Sequence, residues 1–545
     1  MLKSYLLPEN AYSVLYRDFL NSLPQAVRFL GRHYSEAGVF AEKAQEVCDS
    51  FAGDRGRLVA MLSNFNRGLD CSAETLVQIG KLNDPQTVAV ISGQQAGLLG
   101  GPLYTVYKAI AAVKLARDLE GKLGRPVVPV FWIASEDHDF SEANHCWMLD
   151  RDNRPQRIDL ELEHMGQPVG MLPLTEDAGI NVLERLTSLT METDFTPDLL
   201  TMLDETRAFS QTPADWFARI MAKLFAGEGL VMFDPLIPEA REMLAPFYMK
   251  AAKEIDTARE TLQSRETALR AAGYPLQVER DPDTSLFMFV GGKRAALYYK
   301  DGYYTTRDGV VNYNQEELLE LAEKSPESLS PNVLLRPLAQ DSLFPTVAYI
   351  PGPGELAYFA QVTSLYPVLG QTAPLLYPRP GLTVVEPRLA RYMKRYEIAE
   401  NQLLSDMDEC LRRELRKKTD VDLDSVFEHL RQHLAVEYEH LKRDLARLSG
   451  QLAELTETNL QHVYAEISYL EDKAQQEARD KNEVVVRHFA NLEQTLRPLG
   501  KLQERVFNIF VFQMKYGRDF WRQLVDEFPA APGHYLFYYQ PGKEN

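Results

Sequence analysis

The chain has 545 residues, of which 45% are hydrophobic and 25% charged, and its formal net charge is −19. Such a length and hydrophobic content allow large buried cores in more than one domain and argue against a disordered chain. The acidic balance argues against a nucleic-acid-binding protein, because it repels phosphate backbones and no long basic patch interrupts it.

Three further classes of protein are disfavoured by local sequence features: structural zinc proteins, secreted proteins and membrane proteins. The four cysteines are scattered and lack CxxC spacing, so we expect a reduced, cytoplasmic protein without a structural zinc site. Charged residues interrupt the first 20 positions, which a signal peptide would not allow. No stretch approaches the roughly 18 to 20 apolar residues of a transmembrane helix, so we expect no membrane partner.

The first part of the chain predicts a helical layer and then a βαβ unit. Apolar residues over 1–83 recur at helical spacing. An apolar run at 87–91, a glycine-rich loop at 93–101, a helical pattern over 103–119 and a second apolar run at 127–134 follow. The crossover should be right-handed. Ligands bind at the carboxyl ends of such strands, so the segments after both strands are candidate site segments.

Residues 146–330 predict inserted connective segments. The predicted elements are short strands over 146–174, a helix over 214–228, a strand over 229–235, a helix over 237–272 and a β-rich hairpin over 276–304 that turns at Gly291 and Gly292.

Residues 331–386 return to an α/β pattern and complete a predicted Rossmann-like core over 1–386. We predict a strand over 332–337 that ends at Arg336, a second strand over 346–350, and a helix over 356–366 after a glycine–proline loop. Two short segments, 373–376 and 379–383, would close the sheet.

From residue 387 the apolar spacing predicts a coiled coil. Apolar residues step by threes and fours, with an average near 3.5. Ser449 and Gly450 mark the turn between two antiparallel arms, and the second arm, 451–497, would be roughly 70 Å long. We assign 387–498 to this projecting hairpin and 499–545 to a C-terminal segment that docks back on the core.

The glycine-rich loop is the first candidate site. It matches neither the Walker pattern nor the G-x-G-x-x-G dinucleotide fingerprint. Its glycines serve either a tight turn or a backbone cradle for an anion at a helix N-terminus. On the second interpretation the candidate binding residues are Gly93, Gln94, Gln95, Gly97, Gly101, Tyr104, Thr105 and Lys108, with Lys108 meeting a phosphate.

A cluster of charged residues follows the second strand: Glu136, Asp137, His138 and Asp139. Because unpaired carboxylates are costly to bury, the cluster is either a salt-bridge network or a substrate site. In the second case its carboxylates hold an ammonium group or a sugar, and His138 acts as a general acid or base. No standard metal-site spacing is present, even with His145, so we predict no metal site.

Arg336, Glu355 and Arg379 are further candidates. Arginines at strand ends suit phosphate or carboxylate substrates. Glu355 is alternatively a carboxylate that the dipole of its own helix favours.

Several motifs resemble those of the bacillithiol biosynthesis cysteine-adding enzymes. They are 92–97, 101–105 with Lys108, 129–134 running into 136–139, 349–355 and 500–505. The resemblance implies a Rossmann-like parallel-sheet core related to class I aminoacyl-tRNA synthetases, with inserted α+β connective segments and a coiled-coil hairpin that forms a homodimer. The implied activity is ligation of L-cysteine to glucosaminyl malate, the last step of bacillithiol synthesis.

The synthetase signatures His-x-Gly-His and Lys-Met-Ser-Lys-Ser are absent, and 101–104 and 379–383 occupy their places by position. The use of ATP as co-substrate, with Mg²⁺, is therefore implied only by the fold and by the need to activate a carboxylate. On this hypothesis the glycine loop holds the phosphates. Two alternatives stay open: a synthetase-like nucleotide-binding protein and a non-catalytic coiled-coil scaffold.

Overall fold

The computed structural model describes residues 1–7, 11–279, 281, 283–403, 406–419 and 421–542. The chain forms two compact units, one of Met1–Val384 with Pro498–Asn545 and the other of Val385–Arg497. Over the described ranges, no helix is both long and apolar enough to cross a membrane.

The strands of the described residues are β1 (Leu2–Tyr5), β2 (Val88–Gln94), β3 (Val127–Ile133), β4 (His145–Leu149), β5 (Pro155–Asp159), β6 (Val231–Phe233), β7 (Leu286–Val290), β8 (Lys293–Lys300), β9 (Tyr303–Thr306), β10 (Asn312–Tyr313), β11 (Leu329–Pro331), β12 (Thr346–Tyr349), β13 (Leu375–Leu376), β14 (Gly381–Val385) and β15 (His534–Tyr538).

The helices are α1 (Val14–Leu20), α2 (Pro24–Leu30), α3 (Val39–Ser50), α4 (Arg55–Gly68), α5 (Ala73–Lys81), α6 (Leu103–Leu123), α7 (Phe140–Ala143), α8 (Glu176–Leu189), α9 (Thr196–Ala208), α10 (Pro213–Leu224), α11 (Pro238–Met243), α12 (Ala245–Lys253), α13 (Ile255–Ala271), α14 (Gln315–Lys324), α15 (Arg336–Leu343), α16 (Pro353–Val362), α17 (Pro387–Arg395), α18 (Met407–Lys418), α19 (Leu423–Ala446), α20 (Gly450–Asp480), α21 (Glu483–Leu496) and α22 (Phe510–Glu527).

A five-stranded parallel sheet forms the centre of the first unit, in the order β13-β12-β2-β3-β6. Read from β6 to β13, with the five strands numbered by their order in the chain, the sheet has the order 3-2-1-4-5. This is a doubly wound order. Val88 and Val90 face one hydrophobic core, whereas Ala89 and Ile91 face another. Helices cover both faces, which explains the continuous apolar runs in these strands. The predicted βαβ unit is confirmed, with α6 as its helix.

The predicted strand over 332–337 is wrong. The nearest strand, β11, ends at Pro331 and pairs with β7 in a different sheet, and Arg336 begins α15. The Asn332 side chain accepts hydrogen bonds from the N–H groups of Leu334 and Leu335 at 2.9 and 3.1 Å. An Asn that binds nearby N–H groups and a proline in the first turn both favour the start of a helix. The apolar run that suggested a strand is therefore a turn.

Only one of the two segments expected to close the sheet does so. β13 pairs in parallel with β12, but β14 lies in a separate three-stranded sheet of order β1-β15-β14. β1 pairs antiparallel with β15. It precedes the helices of the segment 1–83, which we predicted to be helical throughout. These pairings join segments from distant parts of the chain, so no local pattern predicts them.

The inserted segments contain β-rich and helical parts. β7 and β8 form the predicted hairpin with its turn at Gly291 and Gly292, within a sheet of order β10-β9-β8-β7-β11. The helix predicted over 237–272 is instead three helices, α11 to α13. Pro246, which has no N–H, lies in the first turn of α12 and favours the first break.

In the second unit, α19 and α20 contact each other along their lengths. Ser449 caps α20 by accepting the N–H of Leu452 at 3.2 Å. Tyr438 donates a hydrogen bond to Asn459 at 2.8 Å, and Lys442 pairs with Glu457 at 2.8 Å. The helix predicted over 451–497 is two helices, because the chain leaves α20 after Asp480 and begins α21 at Glu483.

Candidate active site

A cavity of about 340 Å³ lies at the carboxyl ends of β2, β3 and β12. β2 and β12 are neighbours on either side of the point where the strand order reverses, which is where doubly wound sheets bind ligands. Among the predicted site residues, those that line the cavity are Gly93, Gln94, Gln95, Glu136, Asp137, Arg336 and Glu355.

The glycines of the loop allow close backbone packing. A Cβ at Gly93 would lie 2.7 Å from the carbonyl oxygen of Trp132 on β3, and one at Gly97 would lie 2.8 Å from the Cα of Gly101. Gly101 also has a φ of +72°, which favours glycine. The loop therefore has glycines because it touches its neighbours at distances that no side chain permits.

Several backbone N–H groups in and just after the loop donate to acceptors within the protein. Gly97 donates to Gln95 at 2.9 Å, Gly101 donates to Leu98 at 3.0 Å, and Leu103 donates to Phe507 at 2.8 Å. An anion cradle needs such groups to be free. The tight-turn interpretation of the loop is therefore the one that the geometry favours.

Five residues in or beside the loop that we predicted as ligand contacts lie outside the cavity lining: Gly97, Gly101, Tyr104, Thr105 and Lys108. Thr105 is fully buried, and its hydroxyl has no hydrogen-bond partner among the described residues. Tyr104 is half-buried and accepts a hydrogen bond from Gln94 at 3.4 Å. Gly101 packs against Thr105. Tyr104 and Thr105 therefore contact residues of the loop and not the cavity.

Lys108 is not available to bind a phosphate, which corrects our expectation. Its ammonium group donates to the carbonyl of Gly93 at 2.7 Å and to the side chain of Gln94 at 2.8 Å, and it forms an ion pair with Glu355. These three acceptors use its three N–H groups. Lys108 is 2% exposed and holds the loop against the start of α16.

Glu355 faces the cavity as an ionised carboxylate. It accepts hydrogen bonds from the Tyr349 hydroxyl and the Gly352 N–H, both at 2.7 Å, in addition to the ion pair with Lys108. Burial alone would raise the pKa of Glu355, but Lys108 and these two donors together hold the pKa below its usual range. Glu355 therefore lies in the first turn of α16, where the helix dipole favours a carboxylate, and also lines the cavity.

Asp137 joins the glycine loop to the acidic cluster. Its carboxylate accepts a hydrogen bond from the Gln95 side chain at 2.6 Å and another from the N–H of Asp139 at 3.1 Å. Its neighbour Glu136 is buried and forms an ion pair with Arg241. Of the two carboxylates that line the cavity here, only Asp137 lacks a close arginine or lysine partner in the described part of the chain.

His138 and Asp139 lie beside the cavity and not in its wall. The His138 ring is half-buried, with its centroid 6.3 Å from that of Phe287, which does line the cavity. Burial, followed by the charge of Arg294, lowers the pKa of His138, so the imidazole is neutral at pH 7. Asp139 is exposed and accepts the Ser141 hydroxyl at 2.5 Å. The geometry gives Asp139 no cavity contact, which corrects that expectation.

The two predicted arginines have different environments. Arg336 lines the cavity, where it donates to Gln340 at 3.0 Å and to the Tyr349 hydroxyl at 3.1 Å. Arg379 is buried in a bidentate ion pair with Glu504, with N–O distances of 2.5 and 3.0 Å. Arg379 therefore holds the C-terminal segment in place, and its predicted role in binding substrate is not supported by its position.

Sequence patterns missed Arg294, which reaches the same cavity from β8. It donates to the Ser330 hydroxyl at 3.1 Å and to the carbonyl of Pro331 at 2.6 Å, and its guanidinium lies 4.2 Å from the centre of the Phe287 ring. The alternation of side chains along β8 predicts only which face of the hairpin carries Arg294. It cannot show which other part of the chain that face meets.

Comparison with known families adds to this geometry. The family description "Bacillithiol biosynthesis BshC, N-terminal Rossmann-like domain" matches residues 2–380, and "Bacillithiol biosynthesis BshC, C-terminal coiled-coil domain" matches residues 382–539. The chain belongs to the BshC family. The resemblance drawn from the sequence motifs is therefore confirmed, as are the Rossmann-like core and the coiled-coil region.

Individual BshC relatives match over most of their length. The protein from Desulforamulus reducens is 33% identical over 84% of this chain and 85% of its own. Those from Symbiobacterium thermophilum and Carboxydothermus hydrogenoformans are 34% and 33% identical, covering 89% and 96% of this chain and 89% and 97% of their own. All three bear the name "Putative cysteine ligase BshC".

As a BshC-family member, the chain is an enzyme of the ligase class. This assignment disfavours the non-catalytic scaffold. Among the described residues, no group of three or more His, Cys, Asp or Glu side chains is placed to hold a metal ion.

Proposed function

We propose that the chain joins L-cysteine to glucosaminyl malate through an amide bond to form bacillithiol. The family description and the names of the relatives support a cysteine ligase of bacillithiol biosynthesis. The observation that carries the proposal is a single cavity whose wall presents both an available carboxylate, Asp137, and two available guanidinium groups, Arg294 and Arg336. Such a wall suits substrates that carry both amines and carboxylates.

Forming this bond requires an activated carboxylate. The carbon of the cysteine carboxylate bonds to the acceptor nitrogen, one carboxylate oxygen leaves, and the nitrogen loses a proton. A free carboxylate does not react in this way at neutral pH, so we propose ATP with Mg²⁺ as the activating co-substrate. The adenylate and the acyl phosphate both satisfy this requirement. Because Lys108 and the N–H groups of Gly97 and Gly101 are engaged, we do not assign the phosphates to them.

We assign complementary roles to Asp137 and His138. The carboxylate of Asp137 faces the cavity and would receive an ammonium group of a substrate. The neutral imidazole of His138, beside the cavity rim, would accept the proton of the attacking amine directly or through one water molecule.

The test is an assay of ATP-dependent condensation of cysteine with glucosaminyl malate by the full chain. We expect Asp137→Asn and His138→Ala to reduce kcat/KM by on the order of 100-fold, as loss of a general base or a charged contact does. Asp177→Asn, at an exposed carboxylate on α8, is the matched control and should retain wild-type activity. Full activity of His138→Ala would remove its role as base, and absence of turnover by the wild type would contradict the assigned reaction.

We also propose that the coiled-coil region is an antiparallel hairpin that pairs with a second copy of the chain. Contacts between α19 and α20 on both sides of Ser449 support the hairpin. Support for pairing comes from large apolar side chains of the predicted seam that stay exposed in the single chain. They are Leu430, Leu441, Leu448, Leu452, Leu455 and Leu470.

Light scattering of the full chain tests the pairing. We expect a dimer mass for the wild type and for Gln476→Glu, an exposed polar position on α20. The double variant Leu441→Glu/Leu455→Glu should shift the mass toward a monomer, because it places charges in an apolar seam. A wild-type monomer at micromolar concentration would contradict the proposal.

A further inference from the structure

Two arginines in the cavity wall, Arg294 and Arg336, form no ion pair among the described residues. No carboxylate of the described residues forms an ion pair with Arg294 or Arg336, and each is held by neutral acceptors instead. Three described cations near this end of the sheet do form ion pairs. They are Lys108 with Glu355, Arg241 with Glu136, and Arg379 with Glu504.

Leaving two half-buried guanidinium groups without an ion-pair partner costs free energy unless a ligand compensates for them. The protein has 78 acidic against 59 basic residues, so carboxylates are abundant in the chain. Glu136 and Asp137 act on the charge of Arg294, and Glu355 acts on that of Arg336. In the described part of the chain, however, none of these carboxylates lies at ion-pair distance from either guanidinium. Burial also lowers the pKa of Arg294, which shows that water screens its charge poorly.

Both guanidinium groups are oriented before any ligand arrives. Arg294 is held by the carbonyl of Pro331 and stacks on the Phe287 ring. Arg336 is held by the Tyr349 hydroxyl and lies 5.8 Å from the centre of the Trp132 ring. A planar guanidinium fixed in this way presents its remaining N–H groups as a fork that matches a carboxylate.

We propose that Arg294 and Arg336 bind the two carboxylates of the malate arm of the acceptor and thereby select an acceptor that carries this arm. The inference rests on the proposed function. The carboxylate of cysteine reacts and must change its bonding, whereas those of the malate arm stay ionised throughout. Two anchors from separate elements, β8 and α15, suit two carboxylates that persist. The oxygens of a nucleotide phosphate share this chemistry, so the test must separate the two.

The test compares two acceptors, glucosaminyl malate and methyl glucosaminide, which lacks the malate arm. In Arg294→Gln and Arg336→Gln we expect KM for glucosaminyl malate to rise about 10- to 100-fold, as loss of a hydrogen bond between charged groups does. Measured well above the acid limb of the pH profile, KM for ATP and for cysteine, and kcat/KM for methyl glucosaminide, should change much less than KM for glucosaminyl malate does. Arg294→Lys should recover part of the loss. Lys293→Gln, at the exposed neighbouring position, is the control and should behave as wild type.

Three results would overturn the inference. One is a rise in KM for ATP in place of the acceptor, which would assign the arginines to a phosphate. Another is an equal loss of activity with both acceptors. If the wild type catalyses no condensation at all, the proposed function fails and the inference is tested separately by calorimetry with free malate. Binding of malate by the wild type and its loss in Arg294→Gln would then support the inference, and no binding by the wild type would contradict it.

Discussion

Lys108 illustrates how the contacts of a residue can differ from those that the sequence predicts. Its place on the first turns of the helix after a glycine loop predicts a phosphate contact. The structure instead places its ammonium among Gly93, Gln94 and Glu355, and the last of these comes from a helix far along the chain. No local pattern reveals that partner, so the sequence does not predict these contacts.

We therefore expect Lys108→Ala to weaken the fold as well as the site. The substitution leaves the Glu355 carboxylate in a partly buried place without its cation, which costs roughly 3 kcal/mol in the free energy of unfolding. Denaturant titration of the full chain measures this loss. Lys122→Ala, which removes an exposed i,i+4 pair on the same helix, should cost less than about 0.5 kcal/mol. Equal stabilities of the two variants would contradict the role given to Lys108.

The pH dependence of the reaction tests the environment of His138. Arg294, Asp137, Asp139 and His164 are the charged or titratable groups that act on it, and burial with Arg294 lowers its pKa below 6.5. Because the base must be neutral, kcat should fall only as pH drops below that lowered pKa. Removing the cation in Arg294→Gln should raise the pKa and move the acid limb of the kcat profile to higher pH. The profile is measured at a saturating concentration of acceptor. If the acid limb of Arg294→Gln coincides with that of the wild type, Arg294 does not control the pKa of His138.

At the scale of elements, sequence patterns succeed where an element is continuous and buried on both sides. β2, α6 and β3 lie next to one another in the chain and in the sheet, and their apolar runs predict them well. The failure at 332–337 has a local cause, because a short apolar run does not distinguish a strand from a turn that Asn332 stabilises. The strand pairing of β14 with β15 lies beyond any such pattern.

The junction of β2 with β3 should tolerate no side chain at Gly93. Its Cβ would lie 2.7 Å from the backbone oxygen of Trp132, so Gly93→Ala must separate two central strands. We expect a loss of about 2 kcal/mol or more in the free energy of unfolding, together with loss of activity. Gly80→Ala, in the exposed last turn of α5 with open space around the new Cβ, should be neutral or stabilising by up to about 1 kcal/mol. Denaturant titration compares them, and wild-type stability of Gly93→Ala would contradict the close-packing account.

At the scale of the whole first unit, distant segments complete the site. The C-terminal segment reaches the glycine loop through Asn508, whose side chain donates to the carbonyls of Leu99 and Gly101 at 2.8 and 2.9 Å. The cavity receives Arg294 from the inserted sheet and Arg336 from α15. The sequence predicts a site at the edge of the sheet where the cavity lies, because neighbouring strands end there. The sequence does not predict the whole set of residues that line the cavity, because they come from segments that are far apart in the chain.

Asn508→Ala should loosen the loop while leaving the rest of the unit folded. Two buried carbonyls lose their donor, which costs roughly 2 kcal/mol. Hydrogen exchange should accelerate at the N–H of Leu103, which donates to Phe507 beside the loop. Gln523→Ala removes a hydrogen bond to Gln540 in the same C-terminal segment and should leave exchange at Leu103 unchanged. Unchanged exchange at Leu103 in Asn508→Ala would contradict the role of Asn508.

The central claim is that this BshC-family enzyme activates the carboxylate of cysteine and transfers its acyl group to the amine of glucosaminyl malate. Cysteine labelled with ¹⁸O in its carboxylate tests this most directly, with mass spectrometry of the products after incubation with ATP, Mg²⁺ and the acceptor. We predict bacillithiol that retains one labelled oxygen, with the other in AMP if an adenylate forms or in phosphate if an acyl phosphate forms. If the second labelled oxygen appears in water while AMP and phosphate stay unlabelled, the carboxylate was not activated by ATP, and the claim is contradicted. Failure to form bacillithiol with any nucleoside triphosphate would also contradict it.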